Sequence, residues 1–157
     1  ASSPAKTMAA NRRAGVSDLA AFAGLADACG LPPRSADTYA RWLGGGRYVA
    51  WLREAGGPVG LLACEEAAAD WNVLDLAVLP QARGQGHGRA LLREALAALA
   101  RLGGARCLLE VRASNQVARA LYGTLGFEED GTRPGYYPTA TGREPAILMS
   151  LSLDGVA

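Results

Sequence analysis

The stretch LAVLPQARGQGHGRALL, residues 76–92, changes its pattern twice. An apolar run stops at Pro80, glycines follow at 84, 86 and 88, and leucines then recur with helical spacing. The stretch reads as strand, loop and helix. Glycines just ahead of a helix cost stability, so their use there points to close approach to the main chain. The first N–H groups of a helix have no internal partner, and the helix dipole makes that end positive. Phosphate or pyrophosphate is the expected ligand, with Arg83 and Arg89 adding charge at the rim. On its own the glycine pattern is equally the mark of a structural turn. A P-loop is excluded because no Gly-Lys-Ser/Thr ending follows. A dinucleotide-binding unit is disfavoured because the preceding strands read as a meander. His87, the only histidine, reads as a loop or helix-start residue more readily than as a catalyst.

Working outward, Met8–Ala14 has a weak strand pattern, and Ser17 is expected to cap a helix from Asp18 to about Ala28. Ser35 is expected to cap a short helix ending near Leu43. RYVAWLRE (47–54) and PVGLLACEE (58–66), joined by AGG, read as a hairpin, and WNVLDLAVL (71–79) as a third strand of a meander. Leu92, Ala95, Leu96 and Leu99 share a helical face, and Gly103-Gly104 closes that helix. ARCLLEV (105–111) is a strand, and Asn115 to about Leu125 a helix stopped by Gly126. FEEDGTRPGYY and EPAILMSLSL are two final strands. The expected fold is mixed α/β, a mostly antiparallel central sheet flanked by helices.

Composition bounds the partners. A chain of 157 residues, half of them hydrophobic, suits one domain with one core. Sixteen basic and fifteen acidic residues nearly cancel, so direct nucleic-acid binding is not expected. No apolar run approaches the roughly 20 residues of a membrane span. ASSPAKTMAANRR lacks the apolar centre of a signal peptide, and Ala1–Thr7 is expected to be a loose tail. Cys29, Cys64 and Cys107 are too scattered for a disulfide framework or, with one histidine, a zinc site. No metal and a reducing, cytoplasmic setting are expected.

Residues 76–92 resemble the acyl-CoA-binding motif of the GNAT superfamily of N-acetyltransferases, Arg/Gln-x-x-Gly-x-Gly/Ala, through Arg83, Gly86 and Gly88. LEVRASNQVARALYGTLGF (109–127) and GTRPGYYPTATGREPAILMSLSL (131–153) are similar to the RimI-type ribosomal-protein alanine N-acetyltransferases. The likeness is strong from Leu74 to Leu153 and weak before it. Where the family commonly has Pro-Trp-Ser on the acceptor side, this chain reads LPPRSADTYARWL, with no tryptophan directly after the prolines. The resemblance implies a single acyl-CoA N-acyltransferase domain over 8–157, with acetyl-CoA as cosubstrate.

Candidate roles follow. Leu76, Val78, Arg83, Gly84, Gln85, Gly86, His87, Gly88, Arg89, Asn115 and Tyr122 are candidates for binding the coenzyme, Val78 through its backbone as an oxyanion donor. Glu110, set between Leu109 and Val111, is expected to be partly desolvated, which raises a carboxyl pKa and makes a better base. A water-exposed glutamate is the alternative. The resemblance gives Glu110 the general base and Tyr122 the general acid. It also implies that Asn115 holds the pantetheine arm, although the residue reads equally as a helix cap. Tyr136 and Tyr137 resemble the acceptor-side loop; a plain aromatic pair of a hairpin is the other reading.

The leading reading is acetyl transfer from acetyl-CoA to a protein N-terminus, an alanine in the RimI-type pattern, in a small-subunit ribosomal protein. The alternatives are an acetyltransferase for a small amine or a lysine, and a non-catalytic acyl-CoA sensor. The presence of both Glu110 and Tyr122 argues against the sensor.

Overall fold

The computed structural model describes residues 8–156; the expected loose tail over Ala1–Thr7 lies outside them. Among the described residues seven strands and four α-helices follow in the order β1 (Ala10–Arg13), α1 (Leu19–Ala28), α2 (Ala36–Leu43), β2 (Tyr48–Glu54), β3 (Pro58–Ala67), β4 (Asp70–Val78), α3 (His87–Arg101), β5 (Arg106–Arg112), α4 (Gln116–Thr124), β6 (Glu128–Pro138) and β7 (Arg143–Ser152). The sheet order is β1-β2-β3-β4-β5-β7-β6. β1 with β2, β2 with β3, β5 with β7 and β6 with β7 are antiparallel. β4 and β5 are parallel, because α3 carries the chain across between them. β2, β3 and β4 lie side by side in chain order, as the three-strand meander reading expects, and a βαβ crossover departs from β4. The architecture is the expected mixed α/β fold. Within it the described residues divide into two compact units, 8–65 with 74–95, and 66–73 with 96–156.

In the first unit, α1 and α2 lay Phe22, Leu25, Tyr39, Trp42 and Leu43 against Ala50, Leu52, Leu61 and Ala63. These strand residues alternate with Val49, Trp51, Leu62 and Cys64, which are also buried, so both faces of β2 and β3 are covered. Gly60 makes room for α3: a Cβ there would stand 3.1 Å from Leu91 and 3.2 Å from the carbonyl of Ala77. Ser35 caps α2 as expected, its hydroxyl accepting from the N–H of Thr38. Ser17 does not cap α1. It lies inside a 3-10 turn, Val16–Asp18, and the carboxylate of Asp18 reaches back to the N–H of Gly15 at 2.9 Å. The helical entry therefore begins one turn earlier, and Arg12 fixes Asp18 from β1.

In the second unit, alternation along β5 buries Cys107, Leu109 and Val111. Met149, Ile147 and Ala146 of β7, Phe127 and Leu153 are buried as well. Gly103 closes α3 in the left-handed region, and the N–H of Gly104 bonds the carbonyl of Leu99. Gly104 cannot be larger, since a Cβ would lie 2.6 Å from Trp71. None of the three cysteines forms a disulfide, and burial pushes the Cys107 thiol up to about 12.

Candidate active site

β4 ends at Val78, and the N–H of Leu79 turns away to the carbonyl of Val59. Parallel pairing of β4 with β5 covers only Asp70–Asn72 opposite Arg106–Leu108. The later residues of β4, Leu76 and Val78 among them, run on beyond that ladder. Pro80–Ala82 form a 3-10 turn, and Arg83 folds back so that its Nε donates to the carbonyl of Val78 at 3.2 Å. Gly84 and Gly86 adopt φ of +76° and +84°, and nothing lies within 4 Å of a Cβ built on either. Their role is thus conformational. Gly88 differs, being the second residue of α3. Gly84, Gln85 and Gly86 are exposed, and Ala90 is the residue whose N–H bonds back to the carbonyl of Gly86. The main-chain N–H groups ahead of it precede the helical ladder, as an anion cradle requires.

His87 departs from this pattern. It is the first residue of α3, and its side chain is 7% exposed. Its Nδ1 accepts from Nε of Arg53 on β2 at 3.1 Å. The imidazole therefore faces the sheet, and only its backbone belongs to the loop surface.

Glu110 corrects the expected desolvation. Period-two alternation buries Leu109 and Val111 and turns Glu110 to the opposite face, where it is exposed. There Nη2 of Arg133 pairs with its Oε1 at 3.0 Å. Tyr136 hydrogen-bonds the same carboxylate, which raises the phenol above its ordinary range. Arg133 also lies over the Tyr136 ring at 5.1 Å, and Tyr136 and Tyr137 meet edge to face at 4.8 Å. Arg112 covers the Tyr137 ring at 4.7 Å, donates to the carbonyl of Pro138 and pairs with Glu144. Glu144 in turn accepts from the N–H and hydroxyl of Ser114. The residues singled out separately as base and acceptor loop thus form one cluster. Arg133, Arg112 and Glu144 were missed. Their only signal was the charge within LEVR, GTRPGYY and GREP, and neither pairing is local.

Asn115 is the N-cap of α4, its Oδ1 accepting from the N–H of Ala118 at 3.1 Å. Only the amide nitrogen of that side chain remains for another role. Tyr122 is half-buried on α4, 5.9 Å from the Phe127 ring. Burial, with smaller effects from Tyr137 and Cys107, pushes its phenol up to about 12.

The segment that departs from the family pattern has its own structure. Nη1 of Arg34, after Pro33, donates to Oδ2 of Asp75 on β4 at 2.5 Å and lies 4.9 Å over the Trp42 ring. Burial raises the Asp75 carboxyl, against the pull of the Arg34 charge and hydrogen bond. A cavity of about 220 Å³ beside it is lined by Ala23, Asp27, Leu31, Pro32, Pro33, Arg34 and Tyr39. Among the described residues no His, Cys, Asp and Glu cluster could hold a metal ion, and no helix is long and apolar enough to cross a membrane.

The mixed sheet, with its βαβ crossover entered through a glycine-rich turn into α3, is the architecture of N-acetyltransferases of known structure. The chain belongs to the acetyltransferase (GNAT) family, whose model matches residues 20–127, and it is an N-acetyltransferase. It is 43% identical over 110 residues to the [ribosomal protein bS18]-alanine N-acetyltransferase of Escherichia coli K12, covering 69% of this chain and 74% of that protein. The corresponding enzyme of Haemophilus influenzae is 36% identical over 96 residues, 60% of this chain and 65% of its own length. The crystal structure of the E. coli enzyme superposes with a TM-score of 0.85 at 35% identity, covering 93% and 94% of the two chains. Arabidopsis thaliana NAA60 in complex with acetyl-CoA shares the fold, with a TM-score of 0.82 at 17% identity, covering 94% of this chain and all of that one.

Proposed function

We propose that residues 8–157 act as one acyl-CoA N-acyltransferase domain that moves an acetyl group from acetyl-CoA to the α-amino group of an alanine-initiated protein. A small-subunit ribosomal protein of the bS18 type is the acceptor favoured by the 43% identity to the E. coli enzyme. The observation that carries the chemistry is the Glu110–Arg133–Tyr136 cluster, which joins β5 to β6. An arriving ammonium group competes with Arg133 for the Glu110 carboxylate, and Glu110 then takes its proton. The neutral nitrogen forms the new C–N bond, the C–S bond breaks as Tyr122 gives its proton to the leaving sulfur, and the second proton of the acylated nitrogen leaves to restore the Tyr122 phenol. The N–H of Val78 receives the developing charge on the carbonyl oxygen. Main-chain groups of Gly84, Gln85, Gly86 and Gly88 bind the pyrophosphate, Arg83 and Arg89 add charge, and Leu76 packs on the coenzyme. The amide nitrogen of Asn115 holds the pantetheine arm. Tyr136 and Tyr137 flank the acceptor chain.

The α-amino acceptor suits this cluster. Its pKa of about 7.7–8.0, against about 10.4 for lysine, leaves an appreciable neutral fraction near pH 7. An exposed base such as Glu110 has less to do there. The test is a peptide pair with acetyl-CoA, read by mass spectrometry of the modified position. An Ala-initiated peptide should be acetylated faster than the same peptide blocked at its N-terminus and offering only lysine. Equal or faster acetylation of the blocked peptide would overturn the N-α assignment.

A further inference from the structure

The first turn of α3 is tied to the sheet by a relay of polar side chains. His87 is buried, and a buried ring nitrogen needs a partner. Arg53 supplies it: Nε donates to Nδ1 of His87 at 3.1 Å, so the ring carries its hydrogen on Nε2. The same guanidinium donates through Nη1 to Oδ1 of Asn11 on β1 at 3.2 Å. Asn11 then donates through Nδ2 to the carbonyl of Ala90 at 3.1 Å. The turn is thus held at two points, the His87 side chain and the Ala90 carbonyl, from two neighbouring strands.

The charge of this relay has the wrong sign for helix stability. A guanidinium at a helix N-terminus opposes the macrodipole. It has the right sign for an anion on the far side of that turn. The cost in the free protein is offset when a phosphate is bound, and the relay fixes in advance the direction of the N–H groups that receive it.

We propose that His87 is a positioning residue for the coenzyme: through Arg53 and Asn11 it holds the first turn of α3 so that its N–H groups face the pyrophosphate. This rests on the reading of residues 83–89 as the coenzyme site. It assigns the His87 side chain a task although that side chain faces away from the loop surface.

The test uses the full chain and coenzyme A, with affinity measured by calorimetry. His87→Leu keeps an apolar side chain but removes the acceptor; His87→Asn keeps an acceptor oxygen near the Nδ1 position. Loss of one hydrogen bond to a charged group should weaken binding about tenfold in His87→Leu, while His87→Asn stays within about threefold of wild type. Amide hydrogen exchange over residues 84–90 should rise in His87→Leu and not in His87→Asn. Asn11→Ala, which cuts the relay at its outer end, should weaken binding about threefold and keeps the test alive if His87→Leu does not fold. Wild-type affinity in folded His87→Leu and Asn11→Ala, or equal loss in the Leu and Asn variants, would overturn the proposal. Unchanged affinity in Gly86→Asp would instead overturn the loop reading itself, and the proposal with it.

Discussion

Residues 84–86 offer main chain to solvent, and residues 110, 133, 136 and 137 offer side chains. In the loop, Gly84 and Gly86 hold conformations open to few other residues, and no neighbour restricts the space around them. In the cluster what is offered is a carboxylate, a guanidinium and two phenols, carried by β5 and by the irregular stretch of β6 from Arg133 to Tyr137. The two regions should therefore fail differently. A main-chain site fails when its conformation or access changes. A side-chain site fails when one functional group is replaced, even by an isostere.

Glu110→Gln is the strongest challenge to this contrast. The amide has nearly the same size but takes up a proton poorly, so kcat should fall about 10²–10⁴-fold. Coenzyme affinity should be unchanged, and raising the pH should restore part of the rate as more amine becomes neutral. Full speed near pH 7 would remove Glu110 from the mechanism. Gly86→Asp addresses the other region. It puts a negative charge and a Cβ at φ +84°, and coenzyme affinity should fall at least tenfold, about 1.4 kcal/mol. A folded variant with wild-type affinity by calorimetry would show that the loop is not the anion site.

Tyr122→Phe should slow transfer about tenfold with little change in coenzyme affinity, since the ring contact with Phe127 survives. Its pH dependence sharpens the point. Burial holds the wild-type phenol protonated until about pH 12, so the donor stays loaded at alkaline pH. The ratio of wild-type to variant rate should stay flat up to about pH 10. A ratio near one at every pH would mean that Tyr122 is not the donor. Asn115→Asp gives the smallest effect. The carboxylate still caps α4, so melting temperature should hold, while loss of the amide N–H should weaken coenzyme binding about threefold. Unchanged affinity would leave Asn115 as a cap alone.

The contrast also explains what could be read in advance. The loop was legible because glycines, a terminating proline and a change of hydrophobic period are all local signals. His87 was read correctly as a helix-start residue, but nothing local revealed Arg53, which lies 34 positions away in sequence. Ser17 was misread because a serine ahead of an apolar run is a common cap, and the competing carboxylate of Asp18 differs only in its reach to Gly15. Glu110 was placed on the right strand with the wrong surroundings. Leu109 and Val111 are its neighbours in sequence, yet in a strand they face the other way.

The sequence by itself determined the order of the elements, the hairpin, the strand–loop–helix that opens α3, and the family likeness, since all follow from periodicity and motif spacing. Only the tertiary structure decided that Glu110 meets Arg133 and Tyr136, that Arg112 meets Glu144, that Arg34 reaches Asp75 and that Arg53 reaches His87. Each of these contacts joins residues 23 to 41 positions apart. Their partners are chosen by strand register and helix packing, which no local window of the chain contains.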